Sequence, residues 1–244
     1  MNINDNECAS SLENPLTLLP KQRSHNLYLF CNAMPAQNEA FLEWFMTKQH
    51  KFAAGLDKVL STHHYEIEDF CMVPELSKPC DYRYLAVYEL SLDGAEEAAD
   101  LIDQITALHK GQSSADKPAI WLYYPVSEKV GRCPVGEDQL MTLAFGNAVP
   151  GTEEEFREWY TTEHIRHALN VPTLVSGQRF ELSRFQKSGG TEPSYESVAI
   201  YEQEGTVEAL RAGLPSIDPE TIPPSASLDL SRFSEWTYKP LATF

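Results

Sequence analysis

The chain repeats itself at a nearly fixed interval. Asn32-Ala-Met-Pro35 returns as Asn147-Ala-Val-Pro150, and Phe41-Leu-Glu-Trp44 returns as Phe156-Arg-Glu-Trp159, so that 147 − 32 = 115 and 159 − 44 = 115. The same interval relates Thr47 to Thr162, Ala53 to Ala168, Ser61 to Ser176 and Glu66 to Glu181. It is 113 at Tyr82/Tyr195, Ala86/Ala199, Tyr88/Tyr201 and Glu89/Glu202, and 115 again at Trp121/Trp236, Tyr123/Tyr238 and Pro125/Pro240. A shift of two and back is the trace of a small loop deletion and a compensating insertion. Chance does not order matches in this way, so the sequence reads as two copies of one unit.

Each copy carries the same pattern of elements. Apolar strands over Leu27–Ala33 and Leu140–Ala148 end at Asn-Ala-x-Pro, and a helix follows each. In the second copy that helix opens on Thr152-x-x-Glu155, the signature of a capping box. Phe156, Trp159, Tyr160, His164 and His167 then recur at three- and four-residue steps, the spacing of one helix face. Pro172 closes the helical stretch. The strands Val59–Ile67 and Leu174–Leu182 follow, then Tyr82–Leu90 and Tyr195–Glu202. A second helix is clear over Asp93–His109 but shortens to Thr206–Ala212 in the second copy, where Pro215, Pro219, Pro223 and Pro224 break a long segment, 213–231. That length predicts a lid or a wrap. Strands Ile120–Pro125 and Glu235–Pro240 close the copies.

The order βαββαβ, twice, predicts an α+β fold of two ferredoxin-like repeats. Their bare sheet faces would pack together as one barrel within the chain, with helices outside. The divisions expected are a tail at 1–24, a first repeat at 25–126, a linker at 127–139 marked by Gly131, Pro134 and Gly136, and a second repeat at 140–244. The expected state is a monomer with an internal pseudo-dimer, or a homodimer of it.

The balance of 36 acidic against 19 basic residues leaves a net charge of −17 over 244 residues. Such a surface repels phosphate backbones and anionic bilayers, which argues against nucleic-acid and membrane partners. Five cysteines with no CxxC suggest neither a disulfide framework nor a zinc ribbon, so thiols in a cytoplasm are the expectation. No signal peptide or membrane span is read in the sequence.

The run Asn147-Ala-Val-Pro-Gly-Thr-Glu-x-Glu-Phe-x-x-Trp-Tyr160, followed by Glu163-His164, Val171-Pro172 and Val175-Ser-Gly-Gln-Arg-Phe180, resembles the EthD-like branch of the dimeric α+β barrel superfamily. The resemblance covers residues 26–125 and 140–240. It implies the ferredoxin-like barrel, here built within one chain. It leaves the reaction open among cofactor-free monooxygenases, isomerases, cyclases, lyases, haem enzymes and proteins without activity.

His164 is the first candidate for chemistry. It ends the aromatic face, at a place where the branch commonly carries a His, and a neutral imidazole there can move one proton near neutral pH. The first copy has Gln49 at that position and Phe52 in place of His167, so the chemistry is expected in the second copy, with the first as scaffold. Tyr160 is the second catalytic candidate. Asn147, Arg179, Trp159, Phe156 and His167 are the expected substrate-binding residues. Each has a plainer reading: Asn147 as a turn former, Arg179 as the partner of Glu181, and the aromatics as helix-on-sheet packing. His164-x-x-His167 lacks the further carboxylates that a metal would need, so no metal is expected. No Gly-rich phosphate loop, GxGxxG after a strand, HExxH or GxSxG is present, which argues against a nucleotide or flavin enzyme. The expected function is a cofactor-free lyase, isomerase or cyclase using a His acid/base on a small, apolar, oxygenated metabolite of aromatic or polyketide type. The alternatives are a cofactor-independent monooxygenase of an aromatic substrate and a non-catalytic binding or accessory protein.

Overall fold

A computed structural model describes residues 23–187, 193–214 and 225–241. The 1–24 tail, almost all of it, and the Pro-rich core of 213–231 therefore lie outside the described residues. The first half runs β1 (His25–Cys31), α1 (Asn38–Trp44), α2 (His50–Ala54), β2 (Val59–Ile67), β3 (Tyr84–Leu90), α3 (Ala95–Lys110) and β4 (Ala119–Pro125). A two-residue strand, β5 (Val130–Gly131), follows within the expected linker. The second half runs β6 (Gln139–Gly146), α4 (Glu153–Trp159), α5 (Ile165–Ala168), β7 (Leu174–Leu182), β8 (Ser197–Glu204), α6 (Val207–Gly213) and β9 (Ser234–Pro240).

The strands hydrogen-bond in the order β4-β1-β3-β2-β9-β6-β8-β7-β5, and β4 also pairs with β7. Eight strands thus close an antiparallel barrel, with β5 laid against β7. Closure leaves no long edge among the eight. The two seams are short: Tyr65–Ile67 on β2 against Tyr238–Pro240 on β9, and Tyr123–Pro125 on β4 against Phe180–Leu182 on β7.

Period-two alternation divides the apolar residues between two sides of each strand. One set fills the barrel. Phe30 and Trp121 meet at 4.7 Å between ring centroids, and Phe145 and Trp236 at 4.8 Å, with Tyr28, Tyr123 and Tyr195 around them. The barrel interior is a packed aromatic core. The other set lies beneath the helices. In the first half Leu27, Leu29, Phe41 and Tyr88 pack against Ala98, Leu101 and Ile105 of the 16-residue α3. In the second half α6 has only seven residues, and the layer is completed by Leu214, Leu228 and Phe233 and by Phe70 and Met72 from the loop after β2.

The capping box expected at Thr152 does not form. Its hydroxyl instead donates to the Val149 carbonyl at 2.8 Å, closing the turn before α4. The cysteines also depart from expectation. Cys31, Cys71 and Cys80 are free, but Cys133 is disulfide-bonded, a pairing that cysteine spacing alone does not encode. Among the described residues, no helix is long and apolar enough to cross a membrane.

Candidate active site

The helix after the first strand is not continuous α-helix in either half. Its middle turn is π-helical, over Phe45–Gln49 and again over Tyr160–His164. In each turn a threonine hydroxyl donates to the carbonyl four residues back, Thr47 to Glu43 and Thr162 to Glu158. A π turn inserts one residue and rotates everything after it, and such turns concentrate at functional sites. Here it sets the last residue of the turn, Gln49 or His164, over the outer face of the sheet.

In the first half that position is filled and satisfied. Gln49 is 1% exposed, its amide nitrogen donates to the Tyr88 hydroxyl, and its Oε1 lies 2.6 Å from His64 Nε2. Leu29 stands opposite Ile120 across the β1–β4 pair and completes an apolar floor.

In the second half the same place is open. Ala144 takes the place of Leu29, and Glu235 stands opposite it across β6–β9, where the first half has Ile120. A cleft of about 360 Å3 results, with Ala144, Leu174 and Tyr201 on its floor and Trp159, Tyr160 and His164 on the helix side. Met72, Val73 and Leu76 reach it from the first half, and Leu214, Leu228 and Phe233 complete the rim. No Lys or Arg is among the described residues that line it.

Four polar groups project among these apolar walls. His164 sits 4.6 Å from both the Trp159 and Tyr160 rings, and its Nδ1 is buried with no hydrogen-bond partner. Burial lowers its pKa to about 4, and the charges of His167 and Arg179 add to the effect, so the ring is neutral at pH 7. The Tyr201 hydroxyl makes no well-aligned hydrogen bond, although the Tyr160 phenol lies beside it and each perturbs the other. Burial pushes Tyr160 up to about 12 and holds Tyr201 well above its ordinary value, so both phenols keep their protons. Glu235 is 5% exposed, and its Oε1 accepts from the Met72 N–H at 2.6 Å. Burial raises its pKa to about 7 despite that hydrogen bond.

The structure brings only some of the expected residues together. His164, Tyr160 and Trp159 share the cleft. Phe156 is buried behind them in the core. Arg179 does not line the cleft: it is wholly buried beneath the helix, where it donates to the Arg157 carbonyl at 2.9 Å and to Thr161 Oγ1 at 2.8 Å. Its guanidinium lies 5.0 Å from the Tyr160 ring and 3.6 Å from Glu181, so it braces the π turn. Asn147 is buried at the end of β6, away from the cleft, with its Oδ1 accepting from the Glu196 N–H and its amide nitrogen unpartnered. His167 is exposed, because the residue inserted by the π turn shifts the phase of the helix face beyond it. Among the described residues, no group of three or more His, Cys, Asp or Glu is placed to hold a metal ion.

Glu235 belongs to none of the motifs that mark His164 and Tyr160. The signal was available, since a carboxylate occupies the second copy where the first has Ile120, beside a large-to-small change from Leu29 to Ala144.

No family model matches the sequence, and no curated protein matches it. Solved structures do resemble its fold. An anthrone oxidase-like protein superposes with a TM-score of 0.56 at 11% identity, covering 91% of this chain and 92% of that one. A candidate monooxygenase from Fusobacterium nucleatum superposes with a TM-score of 0.52 at 9% identity, covering 89% of this chain and 92% of that one. The likeness is one of fold, an antiparallel barrel with helices packed outside it.

Proposed function

We propose that this protein is an enzyme that moves protons on a small, neutral, apolar molecule bearing a carbonyl or phenol oxygen. The observation that carries the reading is the contrast between halves. Gln49, His64 and Tyr88 close a satisfied network in the first half, whereas in the second half His164 Nδ1 has no partner and the Tyr201 hydroxyl has only the neighbouring Tyr160 phenol, beside a cleft. Buried polar atoms left without partners are costly, and a ligand oxygen would satisfy them. The cleft volume falls in the usual range for small-molecule sites, about 300–1,000 Å3. A cleft with a carboxyl group and no cation disfavours anionic substrates. His164 would take the proton, Tyr160 and Tyr201 would donate to substrate oxygen, and Trp159 would stack on an aromatic ring. Arg179, Phe156 and Asn147 would support this site from behind.

Within this reading we favour lyase, isomerase or cyclase chemistry, in which the abstracted proton is returned elsewhere. A monooxygenase would begin with the same step and let the carbanion react with dioxygen. The names of the two structural neighbours belong to oxygen chemistry, which keeps that reading in play. We further propose that the chain is a tandem form of the EthD-like branch, with residues 25–126 as scaffold and 140–244 carrying the site.

The test is a panel of neutral bicyclic and tricyclic ketones and phenols, screened by quenching of Trp159 fluorescence and then for turnover with oxygen uptake recorded. Ligands that bind and turn over in wild type but not in His164→Ala are expected. Turnover without oxygen uptake selects the first chemistry, and stoichiometric uptake selects the second. Binding that never leads to turnover overturns the enzymatic reading.

A further inference from the structure

We propose that Glu235 is a second catalytic residue of this cleft, the acid that protonates the substrate carbonyl while His164 removes a carbon-bound proton. This rests on the reading of the cleft as a proton-transfer site and names the partner which that reading lacks.

Glu235 stands directly across β6–β9 from Ala144, the small residue that opens the cleft floor. The corresponding pair in the first half, Leu29 and Ile120, is apolar, and the cleft of about 530 Å3 that Ile120 borders lies along α3 and is not lined by Gln49 or Tyr88. At the same register one half thus sets a carboxyl group beside a small floor residue and the π-turn histidine, and the other sets two aliphatic side chains. Glu235 also borders a second, polar groove, lined by Cys71, Ser77, Lys78 and Arg211, on the far side of the loop after β2. The carboxyl group therefore sits between the apolar cleft and a route to solvent.

Its surroundings keep it protonated for much of the physiological range. The groups that face it are the Met72 N–H, the Cys71 thiol, and the Tyr160 and Tyr201 phenols, and no cation is among those that shift it. A buried carboxyl group without a cation holds its proton and can donate it. His164 on the opposite wall is pushed the other way. Two titratable groups driven apart in this manner are the arrangement that assigns one as base and the other as acid.

The step balances without any further reactant. A C–H bond alpha to the substrate carbonyl breaks as a bond forms to an imidazole nitrogen of His164. The electron pair forms the C=C bond of an enol. The Glu235 O–H bond breaks as the enol O–H forms. The cleft then holds an imidazolium and a carboxylate, which offset one another, rather than an unpaired enolate in apolar surroundings. Reversal at another carbon isomerises the substrate.

Exchange of the alpha hydrogens of 2-tetralone, a neutral enolisable bicyclic ketone, against deuterated solvent tests the inference in the full chain. Wild type should accelerate exchange, with the rate falling below about pH 4 and above about pH 7. Glu235→Gln, which keeps an acceptor for the Met72 N–H, should lose about a hundredfold in exchange rate and the alkaline limb, while still binding the ketone by Trp159 fluorescence. Glu235→Asp, which keeps the acid, should restore part of the rate. If Glu235→Gln exchanges at the wild-type rate with its alkaline limb intact, the inference fails while the proton-transfer reading stands. If wild type binds the ketone but exchanges no faster than buffer, both fail.

Discussion

The two titratable residues of the cleft make opposite contributions to stability. Glu235 holds a proton in the folded state up to about pH 7, well above an ordinary carboxyl group. Between about pH 4.5 and 7 the unfolded chain has lost that proton and the folded chain has not, so wild-type stability falls as pH rises through this window. Glu235→Gln removes the effect. Its melting temperature should equal that of wild type near pH 4, rise above it through the window and stay higher beyond it, as thermal melts at a series of pH values would read. The buried histidines act in the other direction. His164 and His109 are lowered to about 4 and His64 to about 3, each chiefly by burial. Below pH 6.5 the unfolded chain binds protons that these rings refuse, so stability is lost as pH falls from 6.5 toward 4. His164→Gln should flatten that acid limb. A third prediction concerns volume. Ala144→Leu restores the residue found at position 29, and it should abolish ketone binding in the fluorescence titration while leaving the fold intact, because the cleft is empty space there.

At the scale of elements, the helix that carries the site depends on two devices. One is Arg179, which ties the π turn to the sheet through Arg157, Thr161 and Ser197. Arg179→Met leaves the Arg157 carbonyl and a buried hydroxyl without a donor and should cost about 1–3 kcal/mol in denaturant unfolding. The other is Gly177 on β7. A methyl group there would lie 3.1 Å from Ile165 of α5 and 3.2 Å from the Tyr201 ring, so helix and sheet meet closely at this point. Gly177→Ala should displace Tyr201, and it should weaken ketone binding more than it lowers the melting temperature. The strands were largely legible in the sequence: β2 and β7 match their expected bounds, β3, β4 and β9 differ only at the first end, β1, β6 and β8 differ by one or two residues at both, and the two-residue β5 was not expected. The π turns were not, because a 3.6-residue pattern of aromatics describes either helix until one residue is inserted. That insertion re-phased His164 against Phe156 and Trp159, and His167, which the sequence placed on the same face, is exposed.

Over the whole molecule, stability rests on the aromatic core inside the barrel, to which both halves contribute. Phe30 meets Trp236 at 5.7 Å and Trp121 meets Phe145 at 5.7 Å, pairs that join the two halves. Trp236→Ala should cost about 3–5 kcal/mol. Both halves should still unfold in one transition, observed as coincident fluorescence and circular-dichroism curves, because neither sheet can bury that face alone.

The sequence by itself marked most of the strands and the positions at which one copy departs from the other. Each of these is written in local periodicity or in the comparison of one copy with the other. Tertiary structure decided which polar residues share a space. Arg179 and His164 are both polar departures from the first copy, yet one is sealed beneath the helix and the other opens on the cleft. Glu235 and Ala144 lie far apart in the chain and become neighbours only when β9 pairs with β6. A site assembled across a sheet depends on register and on the volume left by absent side chains, and neither is a property of any one stretch of sequence.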